Sequence, residues 1–413
     1  MLLSRSAEQL GQYCIVKIDS TLNVSILAVA YAFAFSATPL VVFISSLVGI
    51  ELAPSAGLAT LPVAAMIIGV VAGIWPVSKT TAYLGRKVTS ILFLWVGVGA
   101  CLLCSVGIQQ GSFTVFCVGT FIIGTSMAAV QQFRYVAIEC MDSTHAATAA
   151  SIILSGGIFA AFAGPELAVF GKDLTYFEYQ GSFWIGAACI GLASLIIIAF
   201  KPPLVSSHIS SLKARPLRKM LSPGFCLAIC SGAVSYSVMS FIMTATPISM
   251  HHNFMHSLAD TKFVIQSHIT AMFLPSLISP LLFRWFGSLN MMKFGLAAFG
   301  FAILVGNFFT SVPGFWVQLV LLGIGWNFLF VAGTAMLSSN YQPEDRLKAQ
   351  AINDGLMFGM QAIASVSAGI VMARISWAAL VSIGLLPLTV MLLLMVWYGV
   401  NERKIRGSLT TPT

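Results

Sequence analysis

The stretch FTVFCVGTFIIGTSMAAVQQFRYVAIE, residues 113–139, decides how the rest of the chain is read. An apolar run opens at Phe113 and closes in QQFRYVAIE, Gln131 to Glu139. Its arginine, Arg134, falls about seven residues, or ~10 Å, past the middle of the run at 1.5 Å per residue. A charge at that depth in a membrane is rare, turns toward a bundle or water, and marks a pathway. Met127, Gln131 and Arg134 recur at helical spacing, so one continuous helix would place them on a single stripe facing a polar cavity.

Composition supplies the membrane. Of 413 residues 58% are hydrophobic and only 8% charged, whereas a water-facing globule carries roughly 25% charge. A spanning helix needs ~20 apolar residues. Twelve stretches qualify: 22–50, 57–78, 88–109, 113–140, 146–169, 181–200, 224–249, 263–283, 291–311, 315–339, 350–372 and 376–400. The fold class predicted is therefore an all-α membrane protein of twelve transmembrane helices in two six-helix bundles. The segments are 1–21 (cytoplasmic N-terminal segment), 22–200 (first bundle), 201–223 (cytoplasmic linker), 224–400 (second bundle) and 401–413 (cytoplasmic tail).

Charge orients the chain. With both termini cytoplasmic, the outer side receives only Lys172, Lys262 and Arg374, and Arg134 stays within the membrane. That leaves seventeen of the 21 basic residues inside, a strong positive-inside bias. The net charge of +8 is an orientation signal and calls for no nucleic-acid partner. Arg5, Glu8, Lys17 and Asp19 precede the first apolar run without a small-residue cleavage site, so no cleaved signal peptide is expected. The eight cysteines fall in predicted helices or on the cytoplasmic side, so apolar burial rather than an outer disulfide is expected.

The two halves repeat at an offset of 201 to 202 residues. Gly85 in YLGRK matches Gly287 in RWFGSLN, Gly124 in FIIGTSM matches Gly325 in LGIGWNF, and the loop MDSTHAATAAS matches QPEDRLKAQAI. Twelve spans in two matched halves, the basic central loop, the GRK after helix 2, the PEDRLKAQ loop after helix 10 and the Gly164-Pro165 pair of helix 5 together resemble the major facilitator superfamily of transporters. The resemblance covers essentially the whole chain. It implies a prokaryotic inner-membrane secondary transporter, functional as a monomer, that rocks about a central site. The family's loop G-x-x-x-D-R-x-G-R-K is incomplete here: Ser78, Ala82 and Tyr83 stand where the first Gly, the Asp and the Arg would sit. Arg86 and Lys87 keep its basic end and, with Glu139 and Arg346, are the gating candidates. Helix 5 keeps Gly156, Gly164 and Pro165 of an antiporter pattern, but Glu166 to Val169 replaces the small residues that follow.

The substrate-binding candidates are Arg134, Gln131, Tyr135, Tyr31, Tyr236, Trp326, Asn327 and His268. A guanidinium is a planar, always-charged fork suited to carboxylate or phosphate. The competing structural role, a pair with Glu139, is poorly aimed, since five residues turn a helix by about 140°. Amides and phenols such as Gln131 and Tyr135 orient a ligand in an apolar pocket, while Gln132 points elsewhere. Trp326, Asn327 and Phe328 offer aromatic walls and one amide, which suits a ring-bearing ligand. Glu166, Asp354 and His268 are the proton-coupling candidates, because a carboxylate desolvated in a bundle has its pKa raised and an imidazole ordinarily titrates near physiological pH. Each has a plainer reading as a solvated helix-end charge or a packing histidine. His251, His252 and His256 allow a metal site by spacing, with a solvated loop as the simpler account.

No P-loop, zinc-protease pattern or nucleophile elbow is present, so the chain is expected to be no enzyme, to need no cofactor and to draw energy from a gradient. One buried arginine with few buried acids favours a proton-coupled carrier of an anionic or polycarboxylate metabolite such as a siderophore. The alternatives are a planar vitamin or drug-like compound, flavin uptake or efflux for example, an uncoupled facilitator, and a transport-inactive sensor.

Overall fold

A computed structural model of the chain describes residues 20–141, 146–201, 217–342 and 345–410. Among these every regular element is helical. In chain order they are α1 (Ser20–Leu52), α2 (61–84), α3 (86–109), α4 (Phe113–Gln131, continued by Phe133–Glu139), α5 (Ala146–Phe170), α6 (Gln180–Ile198), α7 (Pro223–Ile248), α8 (Leu258–Phe273, continued by 279–286), α9 (288–308), α10 (Val312–Ser338), α11 (Arg346–Met372) and α12 (Trp377–Ile383 with Leu385–Thr410). The chain is a multi-pass, all-α membrane protein.

Local chemistry sets the ends. Serine side chains accept from backbone N–H groups at the starts of α4, α7, α8, α10 and α12, covering donors that a helix start leaves unpaired. At α8 Ser257 accepts from the Asp260 N–H at 3.0 Å, so the helix opens at Leu258, five residues before the apolar window that begins at 263. Between α2 and α3 a single residue makes the turn. Gly85 has φ 76° and ψ 170°, and its repeat partner Gly287, between α8 and α9, has φ 69° and ψ 166°. The matched glycines thus share one backbone state, which glycine adopts without a Cβ penalty.

The described chain divides into two compact units. One takes in residues up to Val41 with Ala72–His208, the other Val42–Val71 with Ile209–Thr413. In the first, α5 lies directly on α1. A Cβ at Gly164 would stand 2.6 Å from Pro39 Cγ and 2.7 Å from the Ser36 carbonyl, and one at Gly156 3.1 Å from Tyr31 Cδ1. The glycine pair of the helix 5 motif therefore serves close backbone approach. α1 is interrupted at the same place, where Ser36 Oγ bonds back to the Ala32 carbonyl at 2.7 Å and Pro39 withholds an N–H. Asn23 closes this unit end to end: its Nδ2 donates to the Lys201 carbonyl at 2.7 Å and its Oδ1 accepts from the Lys201 N–H at 3.1 Å.

In the second unit α7 is buried nearly all round, whereas α12 exposes Leu386, Leu393 and Trp397, as a lipid-facing helix would. Residues 42–71 pack on α7 and α11 through buried hydroxyls. Thr60 Oγ1 donates to the Ser365 carbonyl at 3.0 Å, Ser365 Oγ meets Thr244 Oγ1 at 3.2 Å, and Ser46 Oγ donates to the Thr244 carbonyl at 3.3 Å. Val42, Val63, Ile67 and Ala362 form an apolar cluster within the same packing.

Candidate functional site

The second unit carries an aromatic box. Trp326 and Phe330 are four residues apart on α10, hence on one face, and their rings stack with centroids 5.0 Å apart and 17° between planes. Tyr236 of α7 meets Trp326, Phe330 and Phe358 of α11 edge-on at 5.2, 5.6 and 5.7 Å. Phe273, the last residue of the first α8 segment, meets Trp326 at 6.2 Å. Such pairs contribute ~0.5–1.5 kcal/mol each beyond area burial. Tyr236, Phe273, Phe330 and Phe358 are half-buried, while Trp326 is 3% exposed.

The box sits beside a discontinuity in α8. The span expected as 263–283 does not run through: Pro275 lacks an N–H, and Leu274–Leu277 tightens into a 3-10 turn. Asn327, 0% exposed, covers this break by donating from Nδ2 to the Met272 carbonyl at 2.7 Å and to Ser276 Oγ at 2.6 Å. Two neighbouring polar atoms, Trp326 Nε1 and Asn327 Oδ1, are buried with no hydrogen-bond partner among the described residues. Irregular backbone at membrane depth is tolerated where protein buries it or where it lines a cavity, and transporters place substrate sites at such broken helices.

In the first unit the expected single stripe on α4 is corrected. The helix breaks at Gln132, whose N–H bonds to the Ala129 carbonyl at 3.1 Å, so Gln131 and Arg134 belong to successive segments. Polar side chains follow one another here, and Gln132 Oε1 accepts from the distant Arg86 at 3.3 Å. Gln131 and Arg134 are half-buried and Met127 is buried. Arg134 lies within electrostatic range of the Tyr31 hydroxyl, and Tyr31 stacks on Phe35 with centroids 4.9 Å apart. Lys87 Nζ donates to the Ile198 carbonyl at 2.5 Å, where a cation suits a helix C-terminus. Arg86 and Lys87, two of the residues expected at a gate, thus brace α4 and α6 of their own unit. The side chains of Tyr135, Glu139 and Arg346 lie outside the described residues.

The proton-coupling candidates separate. Asp354 is half-buried one helical turn before Phe358, with Asn353 donating to its Oδ1 at 3.3 Å. Glu166 is exposed near the end of α5. His268 is 0% exposed in the seam between α8 and α10, where its Nδ1 meets the Leu319 carbonyl at 2.7 Å. The histidines after α7 hold their own loop: His251 Nδ1 meets the His256 carbonyl at 3.0 Å and His256 Nε2 the Thr310 carbonyl at 2.7 Å.

Sequence reading missed Phe273, Phe330 and Phe358. The spacing of Phe330 from Trp326 could have flagged it, but the other two arrive from different helices. Tyr236, Trp326 and Asn327, by contrast, come together at or beside the box as expected candidates.

Comparison with known proteins bears on what the site serves. The family model described as Major Facilitator Superfamily matches residues 228–413. The riboflavin transporter RfnT of Brucella anthropi is 35% identical over 361 residues, covering 86% of this chain and 90% of that protein. The uncharacterized MFS-type transporter YdeG of Bacillus subtilis is 27% identical over 382 residues, covering 86% and 87%. Among solved structures, a bacterial homolog of the human lysosomal transporter Spinster superposes with a TM-score of 0.69 at 12% identity, covering 92% of this chain and 98% of that one.

Proposed function

Because this chain belongs to the major facilitator superfamily, and so is a membrane transporter and not an enzyme, we propose that it carries a planar, ring-bearing compound of the flavin class. The observation that carries this reading is the box of Tyr236, Phe273, Trp326, Phe330 and Phe358, drawn from four helices. An extended ring system gains most from stacking and edge contacts of this kind. The similarity to a riboflavin transporter over 86% of the chain supports the same class. It favours this class over the anionic, siderophore-like substrate that a lone Arg134 suggested. Arg134 beside Tyr31 then serves the first unit as an orienting charge.

Asp354 is the proposed proton-coupling group, since it shares a face of α11 with Phe358 one turn away. Its titration would be felt by a ligand held in the box.

The test is direct. Riboflavin fluoresces, and stacking on indole or phenol quenches it. Titration of purified protein is expected to quench riboflavin saturably, with affinity reduced about tenfold or more in Tyr236→Ala, given ~1–3 kcal/mol per stacked ring. Absence of quenching, together with thermal stabilisation by a polycarboxylate that Arg134→Ala abolishes, refutes the flavin reading. In proteoliposomes an imposed pH gradient should drive riboflavin accumulation in wild type and not in Asp354→Asn; flux indifferent to the gradient makes the protein a facilitator.

A further inference from the structure

The aromatic box leaves open what distinguishes one flat ring from another. Two atoms answer that. Trp326 is 3% exposed and its indole Nε1–H has no acceptor among the described residues. Asn327 is 0% exposed; its Nδ2 is spent on Met272 and Ser276, while its Oδ1 has no donor among the described residues. A buried polar atom without a partner destabilises the fold, and native structures keep few of them. Here one donor and one acceptor occur on consecutive residues, the donor among the aromatic rings and the acceptor beside the break in α8. Turning the Asn327 amide over would set its oxygen against the Met272 carbonyl, which only a donor can satisfy, so the oxygen stays an acceptor.

We propose that Trp326 Nε1 and Asn327 Oδ1 read the polar periphery of the substrate ring, the indole donating to a ring carbonyl and the amide oxygen accepting from a ring N–H. This rests on the flavin-class reading and narrows it to planar heterocycles bearing a cyclic amide or imide. Consecutive helical residues diverge by about 100°, so the two atoms approach the ligand from different sides rather than as one fork. A site built to hydrogen-bond a substrate group discriminates strongly against analogues lacking it, because the buried protein group is then left unpaired.

The pair is tested from both sides of the interface. Riboflavin and 3-methylriboflavin, which lacks the imide N–H, are titrated into wild type and Trp326→Phe by fluorescence quenching. Wild type is expected to prefer riboflavin by about tenfold, and Trp326→Phe, which keeps an aromatic ring, to bind riboflavin about five- to tenfold more weakly, the worth of one net hydrogen bond. The 3-methyl probe acts on unaltered protein, so a folding defect in the variant cannot mimic that half of the result. Equal affinity for the two flavins, or Trp326→Phe binding riboflavin as wild type does, overturns the pair while leaving the box intact. No saturable riboflavin quenching in wild type refutes the flavin reading itself, and the pair with it.

Discussion

Alanine at Gly85 or Gly287 is expected to destabilise the protein although there is open space for its methyl group. A Cβ at either glycine finds no heavy atom within 4 Å, so packing predicts no penalty. The backbone predicts one. With φ 76° and ψ 170° at Gly85, and φ 69° and ψ 166° at Gly287, both residues occupy a region that only glycine visits readily, at on the order of 1–3 kcal/mol for any other residue. Gly99 and Gly300 are matched controls: nothing lies within 4 Å of their Cβ positions either, but both sit in helices, where alanine gains up to ~1 kcal/mol over glycine. The two classes should therefore differ by roughly 2–4 kcal/mol for the same chemical change. Thermal and denaturant melts of detergent-purified Gly85→Ala, Gly287→Ala, Gly99→Ala and Gly300→Ala read the difference. Asparagine sharpens the test, because it tolerates the ordinary left-handed helical region near ψ 47° but not the extended ψ found here; Gly85→Asn should melt as low as Gly85→Ala. Four alanine variants with equal midpoints, or rescue by asparagine, would refute the argument from backbone strain.

Other consequences are as specific. Asn23→Leu removes both bonds to the Lys201 peptide and should cost ~2–3 kcal/mol; an unchanged melting midpoint means the ends of the first unit are not held there. Thr60→Val deletes one buried bond to Ser365 for about 1 kcal/mol, whereas Gly369→Ala drives a methyl into Thr60 Oγ1 and to 3.0 Å from the Gly57 carbonyl and should destabilise more; the opposite order sinks this account of how residues 42–71 pack on α11. In the loop after α7, His251 Nδ1 and His256 Nε2 already hold backbone carbonyls, so added zinc should leave the melting midpoint of the wild type unchanged, while His256→Ala should speed hydrogen exchange over residues 250–257. A zinc-dependent rise would restore the metal reading of the three histidines.

The repeat was legible because its markers are local. A glycine needed for a positive φ announces itself wherever the turn recurs, and Gly85 and Gly287 do so at matched positions. The spans were legible for a similar reason: lipid demands an apolar run of fixed length, whatever surrounds it. Helix breaks were harder. Those at Gln132 and Pro275 lie inside runs apolar enough to pass as continuous, and at Gln132 the deciding contact comes from Arg86, 46 residues away. Hydrophobic windows also began α8 late, because Asp260 and the capping Ser257 belong to the helix without being apolar.

The sequence by itself determined an all-α membrane protein, and it marked Tyr236, Trp326 and Asn327 as residues with chemistry to offer. These follow from composition, period and spacing, which are properties of one segment at a time. Only the tertiary structure decided that Phe273, Phe330 and Phe358 complete a box around Tyr236 and Trp326, that residues 42–71 pack with α7 and α11, that His268 is sealed between α8 and α10, and that Asn327 spends its amide on a broken helix. Each is a meeting of side chains from distant parts of the chain. Burial and hydrogen bonding are settled by such neighbours, and a residue's own position in the sequence does not name them.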